Sequence, residues 1–437
     1  MTHVPHVQPT GKTTRLRGRR RPPRRALALT AALAALALTA PAASAEGARA
    51  PADRPGAPAG CDAARGALGD SLDTLITRHG IPGAAAEVAD PSCGRRSAAR
   101  GVADLATGRP ARAEDRLRIG SVTKTFTATV VVQLAAEGRI GLDAPVERYL
   151  PGLIRGNGHD GRRITVRQLL QHTSGLPDHA ESITGLPVND WRYRHYEPRE
   201  LIATALKLPH PAKTWHYSTT NYVIAGLIVE KVTGRGIEAE VTRRIIEPLG
   251  LRDTFWPGDG DGDGDGGGGD ETRIRGAHSR SYFTGPDAPD AAPPERERID
   301  GTEWNVTFGG AGGALISTPA DVNRFYGALF GGRLLPARWV AEMKRAVPAD
   351  PDRLWPGARY GLGLIATPLE CGGWWWGHGG TVPGGHRALG AVGPDGRGVA
   401  LALNQVPATD EAERDFLAVV STALCAAPGT QHPEETA

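Results

Sequence analysis

Two side chains in the stretch RIGSVTKTFTA, residues 118–128, have the types and spacing of a nucleophile and its base. Ser121 and Lys124 stand three residues apart, so on a helix they share one face and the lysine nitrogen can reach the serine hydroxyl. Serine alone is a weak nucleophile and needs a neighbour that takes its proton. At a helix N-terminus the backbone N–H groups favour developing negative charge and disfavour a charged lysine, and an uncharged lysine can serve as that neighbour. Composition sharpens the point, because the chain holds six lysines against forty-five arginines. An arginine at this position could not deprotonate, so a lysine is what base chemistry requires.

Two more stretches carry candidate groups. TWHYSTTNY, residues 214–222, sets Tyr217 at the start of a predicted helix, and WGHGGTVPG, residues 376–384, sets His378 in a glycine-flanked strand. Each alone reads as readily as a packed core residue, and most Ser-x-x-Lys matches lie on surfaces. Their order along the chain, Ser-x-x-Lys, then Tyr, then His-Gly-Gly, is far more specific than any one of them.

The surrounding pattern supplies elements to position them. ARGALGDSLDTLITRHG is an amphipathic helix with Leu68, Leu72, Leu75 and Ile76 on one face and Gly80 as its stop. IPGAAAEVAD and RRSAARGVADL read as strands, and the helix opening at Ser121 is so apolar that it must be buried on most sides. Residues 140–300 read as helices and loops. Beyond 300, GAGGALISTPADVNRFYGALF reads as a strand turning at Ser317-Thr318-Pro319 into a helix. WWWGHGGTVPGG, HRALGAVG and GVALALNQ follow as three strands, before a closing helix at about 408–425. This predicts an α/β unit assembled from residues 61–140 and 300–426, with a helical lobe, 141–299, inserted between.

Outside that unit, residues 1–45 carry Lys12, seven arginines and no acid, then the apolar run ALALTAALAALALTA and Ala43-Ser44-Ala45. This is the pattern of a signal peptide cleaved before Glu46, followed by a Pro/Gly/Ala linker over 46–60, so the mature chain is expected to be secreted. With the leader removed the chain has 43 basic and 48 acidic residues, which points to no nucleic-acid or membrane partner. Four cysteines and no Cys-x-x-Cys spacing favour disulfides in an oxidising compartment, with Cys61–Cys93 and Cys371–Cys425 the expected pairs. The alternating Asp/Gly run at 258–271 lacks the glutamate of a calcium loop and reads as a disordered insertion, and 427–437 as a tail. His172, His179 and His216 lack partners at ligand spacing, so neither a metal nor an organic cofactor is expected.

RIGSVTKTFTA, LLQHTSGLP (169–177), YSTTNYVIAGLIVEKVTG, GAGGALISTPAD, RYGLGL and GHGGTVPGG together resemble the serine β-lactamase-like, penicillin-binding superfamily. The likeness is strongest to soluble D-alanyl-D-alanine carboxypeptidases and class C β-lactamases and covers about 62–425. It implies an antiparallel sheet of about five strands flanked by helices, an all-helical lobe, and a site between them. It implies that Ser121 forms an acyl-enzyme, and that Lys124 and Tyr217 relay the proton to the leaving amine and then help activate water. His378, where many relatives carry lysine, would orient that network or the substrate carboxylate. The backbone N–H groups of Ser121 and Thr381 would form the oxyanion hole, with Gly380 in the same strand against the substrate. Three positions depart from the pattern. Thr219 replaces an asparagine, leaving its hydroxyl or Asn221 to hold the substrate amide; Gly379 replaces a hydroxyl residue; and Ile365 stands where similar carboxypeptidases offer arginine to a substrate carboxylate.

The expected activity is that of an exported D-alanyl-D-alanine carboxypeptidase acting on peptidoglycan peptides and acylated by β-lactams. A class C-like β-lactamase, and an esterase or D-amino-acid amidase on the same scaffold, are the alternatives. A non-catalytic binder of wall peptides would have no need to keep Ser121, Lys124 and Tyr217 together.

Overall fold

Segments RALGAV and GVALAL are apolar or glycine at all but one position, a composition that needs cover on both faces of a sheet, and both are buried throughout. They form the middle of a nine-stranded antiparallel sheet in a computed structural model that describes residues 59–186, 188–258, 272–284 and 298–426. The leader, nearly all of the linker, the Asp/Gly run after Gly258 and the tail lie outside those residues.

In chain order the strands are β1 (Gly83–Asp90), β2 (Gly94–Asp104), β3 (Arg109–Pro110), β4 (Val347–Pro348), β5 (Arg359–Tyr360), β6 (Ile365–Pro368), β7 (Trp374–Thr381), β8 (Arg387–Val392) and β9 (Gly398–Leu403). Across the sheet they run β4-β5-β6-β7-β8-β9-β1-β2-β3. The five contiguous strands β7, β8, β9, β1 and β2 are the long ones, matching the five expected; the others are short strands of two to four residues flanking them. The centre joins opposite ends of the chain, with Ala84 opposite Leu403 and Val88 opposite Val399.

Alternation along β8 and β9 sorts two cores. Leu389, Ala391, Val399 and Leu401 face α1 (Ala59–Thr77) and α6 (Asp410–Cys425), packing with Leu72, Leu75, Phe416 and Val420. Ala388, Val392, Ala400 and Ala402 face α2 (Thr123–Ala136) and α5 (Pro319–Phe330), where Phe126 stacks on Phe325 with ring centroids 3.7 Å apart. Helix α2 is buried almost all round, so its threonines must bond inside the protein. Thr125 Oγ1 donates to the Gly363 carbonyl and Thr127 Oγ1 to that of Ala311, both at 2.7 Å.

Between β3 and β4 in the chain come α3 (Val166–Gln171), capped by a Thr165/Gln168 capping box, and α4 (Thr219–Thr233), ended by Gly234 in the left-handed region. Further helices in this region include His179–Ile183, Pro198–Ala205 and Ile237–Val241. One expected strand is mostly absent. In GAGGALIST only Ile316–Ser317 is strand, because the preceding residues turn as 3₁₀ helix and spend carbonyls on α2 instead of on a ladder.

Disulfides join Cys61 to Cys93 and Cys371 to Cys425, the pairs expected, with Cα atoms 5.9 and 5.7 Å apart. Each ties an outer helix to a strand-connecting turn. Among the described residues no helix is long and apolar enough to cross a membrane.

Candidate active site

Ser121 lies in a single 3₁₀ turn, Gly120–Val122, that feeds directly into α2, so Lys124 falls in the first turn of that helix on the same side. The lysine Nζ lies 3.0 Å from Ser121 Oγ, 2.9 Å from the Gly312 carbonyl and 3.4 Å from Thr219 Oγ1. Lys124 is fully buried, and among the described residues no carboxylate pairs with it. The rings of Tyr217 and Tyr222 stand 4.9 and 5.5 Å from Nζ. Close approach of the Gly309–Gly313 turn is needed for the carbonyl contact, since a Cβ on Gly312 would lie 2.7 Å from the Thr219 methyl and 3.3 Å from Nζ.

Tyr217 precedes Ser218, the N-cap of α4, and is held from behind by His172, the residue that caps the C-terminus of α3. The His172 carbonyl accepts the His216 N–H at 3.0 Å, and its Nδ1 accepts the Ser218 N–H and the Asn221 amide, both at 3.2 Å. Its ring centroid sits 4.3 Å from that of Tyr217. These bonds need an unprotonated Nδ1. Burial first, and then the charge of Lys124, hold the imidazole pKa well below the ordinary histidine range.

Strand β7 supplies the opposite wall. Strand β6 begins at Ile365, opposite Gly377, so residues 378–381 are laddered to β8 alone and their other edge lines the cleft. The strand runs hard against the Ser121 turn: a Cβ on Gly380 would lie 1.9 Å from the Ile119 carbonyl oxygen and 3.0 Å from Ser121 N. Only glycine fits there. The approach brings the Ser121 and Thr381 backbone to the same end of the cleft, where two N–H groups could receive a carbonyl oxygen.

His378 is fixed by neighbours on both ring nitrogens. Tyr360 Oη lies 2.8 Å from Nε2, and Nδ1 contacts the Gly379 carbonyl. Burial, followed by the charge of Lys124, pushes its pKa down to about 3, so the ring is neutral, with Nδ1–H donating and Nε2 accepting.

A cleft of about 300 Å³ is lined by Ser121, Tyr217, His378, Gly379 and Thr381, with Ile365, Leu354 and Trp355 as an apolar wall and Arg353, Arg387 and Glu413 as charged groups. Arg387 is buried behind β7. It bonds to Glu413 and to the Gly380 and Ala388 carbonyls, which braces the strand.

The structure thus brings together Ser121, Lys124, Tyr217, Thr219, His378, Gly380 and Thr381. It corrects one reading and narrows another. Asn221 is buried, its Oδ1 accepting from Ser174 Oγ at 2.6 Å and its amide nitrogen bound to His172, so it clamps the Tyr217 turn and does not reach substrate. His378, neutral and bonded at both nitrogens, is placed to orient the network, with no ring nitrogen left over for a carboxylate. The Gly312 carbonyl, His172, Arg353 and the Arg387–Glu413 pair were missed. The fragments LLQHTSGLP and GAGGALISTPAD marked two of these stretches without saying which atom mattered.

Comparison with known proteins agrees with this geometry. A family profile described as Beta-lactamase matches residues 66–424. A D-stereospecific amidohydrolase from Streptomyces sp. is 36% identical, covering 83% of this chain and 99% of its own, with a TM-score of 0.70. The D-amino acid amidase of Ochrobactrum anthropi SV3 is 27% identical, covering 83% and 98%, with a TM-score of 0.68. Esterase EstB of Burkholderia gladioli is 34% identical over 195 residues, and the match spans about half of that protein, 49%. Penicillin-binding protein 4 of Amycolatopsis lactamdurans is 30% identical over 293 residues, 65% of this chain and 70% of its own. The chain belongs to the Beta-lactamase family, within the superfamily of serine β-lactamases and penicillin-binding proteins, and is a serine hydrolase of that group.

Proposed function

We propose that the protein is an exported amidohydrolase that cleaves the amide bond on the carbonyl side of a D-amino acid residue through an acyl-enzyme on Ser121. The observation that carries this reading is the likeness to the Streptomyces D-stereospecific amidohydrolase over 99% of that chain, joined to a cleft of the same lineage with an intact Ser121, Lys124 and Tyr217. D-alanyl-D-alanine carboxypeptidase activity on peptidoglycan peptides, with acylation by β-lactams, is the narrower form of the same reaction.

Ser121 Oγ attacks the carbonyl carbon while its proton passes to Lys124, which touches it at 3.0 Å. The oxyanion is received by the backbone N–H groups of Ser121 and Thr381. The C–N bond breaks as the proton reaches the leaving nitrogen by way of Tyr217. Water, deprotonated by the same pair, then attacks the ester and restores the serine. Thr219, with Oγ1 beside Lys124 and part of its surface exposed, holds the substrate amide in place of asparagine.

The test uses purified mature protein and Ser121→Ala with D- and L-amino acid amides, a D-alanyl-D-alanine peptide, labelled penicillin, a chromogenic cephalosporin and a nitrophenyl ester. Cleavage of D- but not L-amides, lost in Ser121→Ala, is the expected result. Rapid cephalosporin turnover without amide cleavage would reassign the protein as a β-lactamase, and ester turnover alone as an esterase. No activity or labelling on any of them would sink the enzyme reading.

A further inference from the structure

Arg387 opens β8 opposite Thr381, and its side chain folds back over the gap between β8 and β7. Nη1 donates to the Gly380 carbonyl at 3.3 Å and to the Ala388 carbonyl at 3.0 Å. Nη2 lies 2.5 Å from Glu413 Oε1, and the guanidinium carbon stands 4.6 Å from the Phe416 ring centroid, so two residues of α6 hold the group in place. The same group accounts for a glycine. Gly379 stands where the resemblance implied a hydroxyl residue, and a Cβ there would lie 2.8 Å from Arg387 Nη1 and 3.4 Å from Nη2. The guanidinium fills the space that a side chain at 379 would need.

The peptide that links Gly380 to Thr381 carries two groups with different tasks. Its carbonyl oxygen takes the Arg387 hydrogen bond on the β8 side. A trans peptide puts its N–H on the opposite side, at the edge of β7 that lines the cleft and is assigned to the oxyanion. Oxygen and nitrogen share one delocalised bond system, so a cation on the oxygen draws electron density from the nitrogen and leaves the N–H a stronger donor. A charge-assisted bond of this kind is roughly twice as strong as a neutral one. Burial keeps water from screening it.

We infer that Arg387 is a positioning residue for the oxyanion hole. Held by Glu413 in the space that Gly379 leaves, it polarises and orients the Gly380–Thr381 peptide so that the Thr381 N–H meets the developing charge. It acts through that peptide, and contact with the substrate is not required. The inference rests on the proposed acyl-enzyme at Ser121 and deepens it, whichever amide or ester is the substrate.

The probe is phenylboronic acid, whose boron accepts Ser121 Oγ and becomes a tetrahedral anion resembling the acylation transition state. Its Kd by calorimetric titration is compared among wild type, Arg387→Met, Arg387→Lys and Gly379→Ala. The same proteins give kcat and KM for the amide or ester that the wild type turns over, and an unfolding midpoint. Arg387→Met keeps the reach of the side chain and removes its charge. It is expected to weaken boronate binding about tenfold, a part of the roughly 10²–10³ that loss of a whole donor costs, and to lower kcat by a similar factor with KM within about twofold. Arg387→Lys recovers part of both losses. Gly379→Ala drives the guanidinium from the carbonyl, so it should copy Arg387→Met and add little on top of it. Unchanged boronate affinity and kcat in Arg387→Met, a KM effect without a kcat effect, or full additivity of the two substitutions would each overturn the inference. Should Arg387→Met fail to fold, Gly379→Ala and Arg387→Lys carry the same comparison. A wild type that forms no boronate adduct removes the Ser121 acyl-enzyme and this role with it; tight wild-type binding that ignores Arg387 removes the positioning role alone.

Discussion

Lys124 is a buried amine whose hydrogen-bond partners are two hydroxyls and a carbonyl, with no carboxylate to hold its charge. Such a setting suits a group that alternates between taking and giving a proton. Lys124→Arg keeps a cation and removes the base, so acylation should fall by roughly 10²–10⁴ in single-turnover labelling, with the unfolding midpoint measured alongside to show that the fold survives. Retained acylation would mean that the lysine acts only through its charge. His172 works one layer back. Replacing it with phenylalanine keeps a ring against Tyr217 but leaves the Ser218 N–H and the Asn221 amide without their acceptor, a loss of about 1–3 kcal/mol. The expected signature is a lower kcat at nearly constant KM; a stability loss with unchanged kcat would reduce His172 to a packing residue. Ser121, Lys124 and Tyr217 were legible in the sequence because a helical spacing and a scarce residue type are local signals. Arg353 and the Gly312 carbonyl were not, since a loop arginine in an arginine-rich chain and a backbone oxygen carry no local mark. Asn221 misled for a related reason: on a helix that begins at Thr219 its place along the chain is readable, but the face it turns to depends on how α4 packs.

At the scale of elements, the site depends on how closely β7 passes the Ser121 turn. Gly380→Ala would set a Cβ 1.9 Å from a backbone oxygen, a clash that no rotamer can relieve. The strand or the turn must move, and a shift of that kind costs about 1–3 kcal/mol when it can be accommodated. Acylation should therefore drop by at least tenfold beside a lowered unfolding temperature, whereas wild-type acylation would show that the turn yields freely. The strands themselves were readable from alternation and glycine punctuation, and α1, α2 and α6 from their apolar faces. The short strands β3, β4 and β5 were not, because two paired residues leave no periodicity. The glycine-rich run before Ile316 was misread for a physical reason: its backbone bonds go to Lys124 and Thr127, partners nearly 200 residues away that only the folded chain provides.

Across the whole molecule, histidine burial sets a pH response. His378 and His386 are both held to about 3, chiefly by burial, from an ordinary value of 6.5. The unfolded chain binds these protons more readily than the folded one, so stability is complete above about pH 6.5 and declines as pH falls toward 3. The slope is about 1.4 kcal/mol per pH unit for each histidine that stays neutral in the fold, and His172 and His179, lowered by the same burial, act in the same sense. Urea unfolding at pH 7 and pH 5 should show a clearly lower midpoint at the acid pH. An equal midpoint would mean that these rings take up protons in the folded protein as readily as in the unfolded chain.

The pairing of β1 with β9 reaches beyond the finished structure to the order in which it can form. β1 pairs locally with β2, but its partner on the other side, β9, is made only after β7 and β8, and β7, which closes the cleft over Ser121, precedes β9 by a single strand. Contacts of such long range are slow to form. A growing chain therefore carries its serine and lysine for a long stretch of synthesis without the wall that would make them reactive, because β7 lies far along the chain from the Ser121 turn.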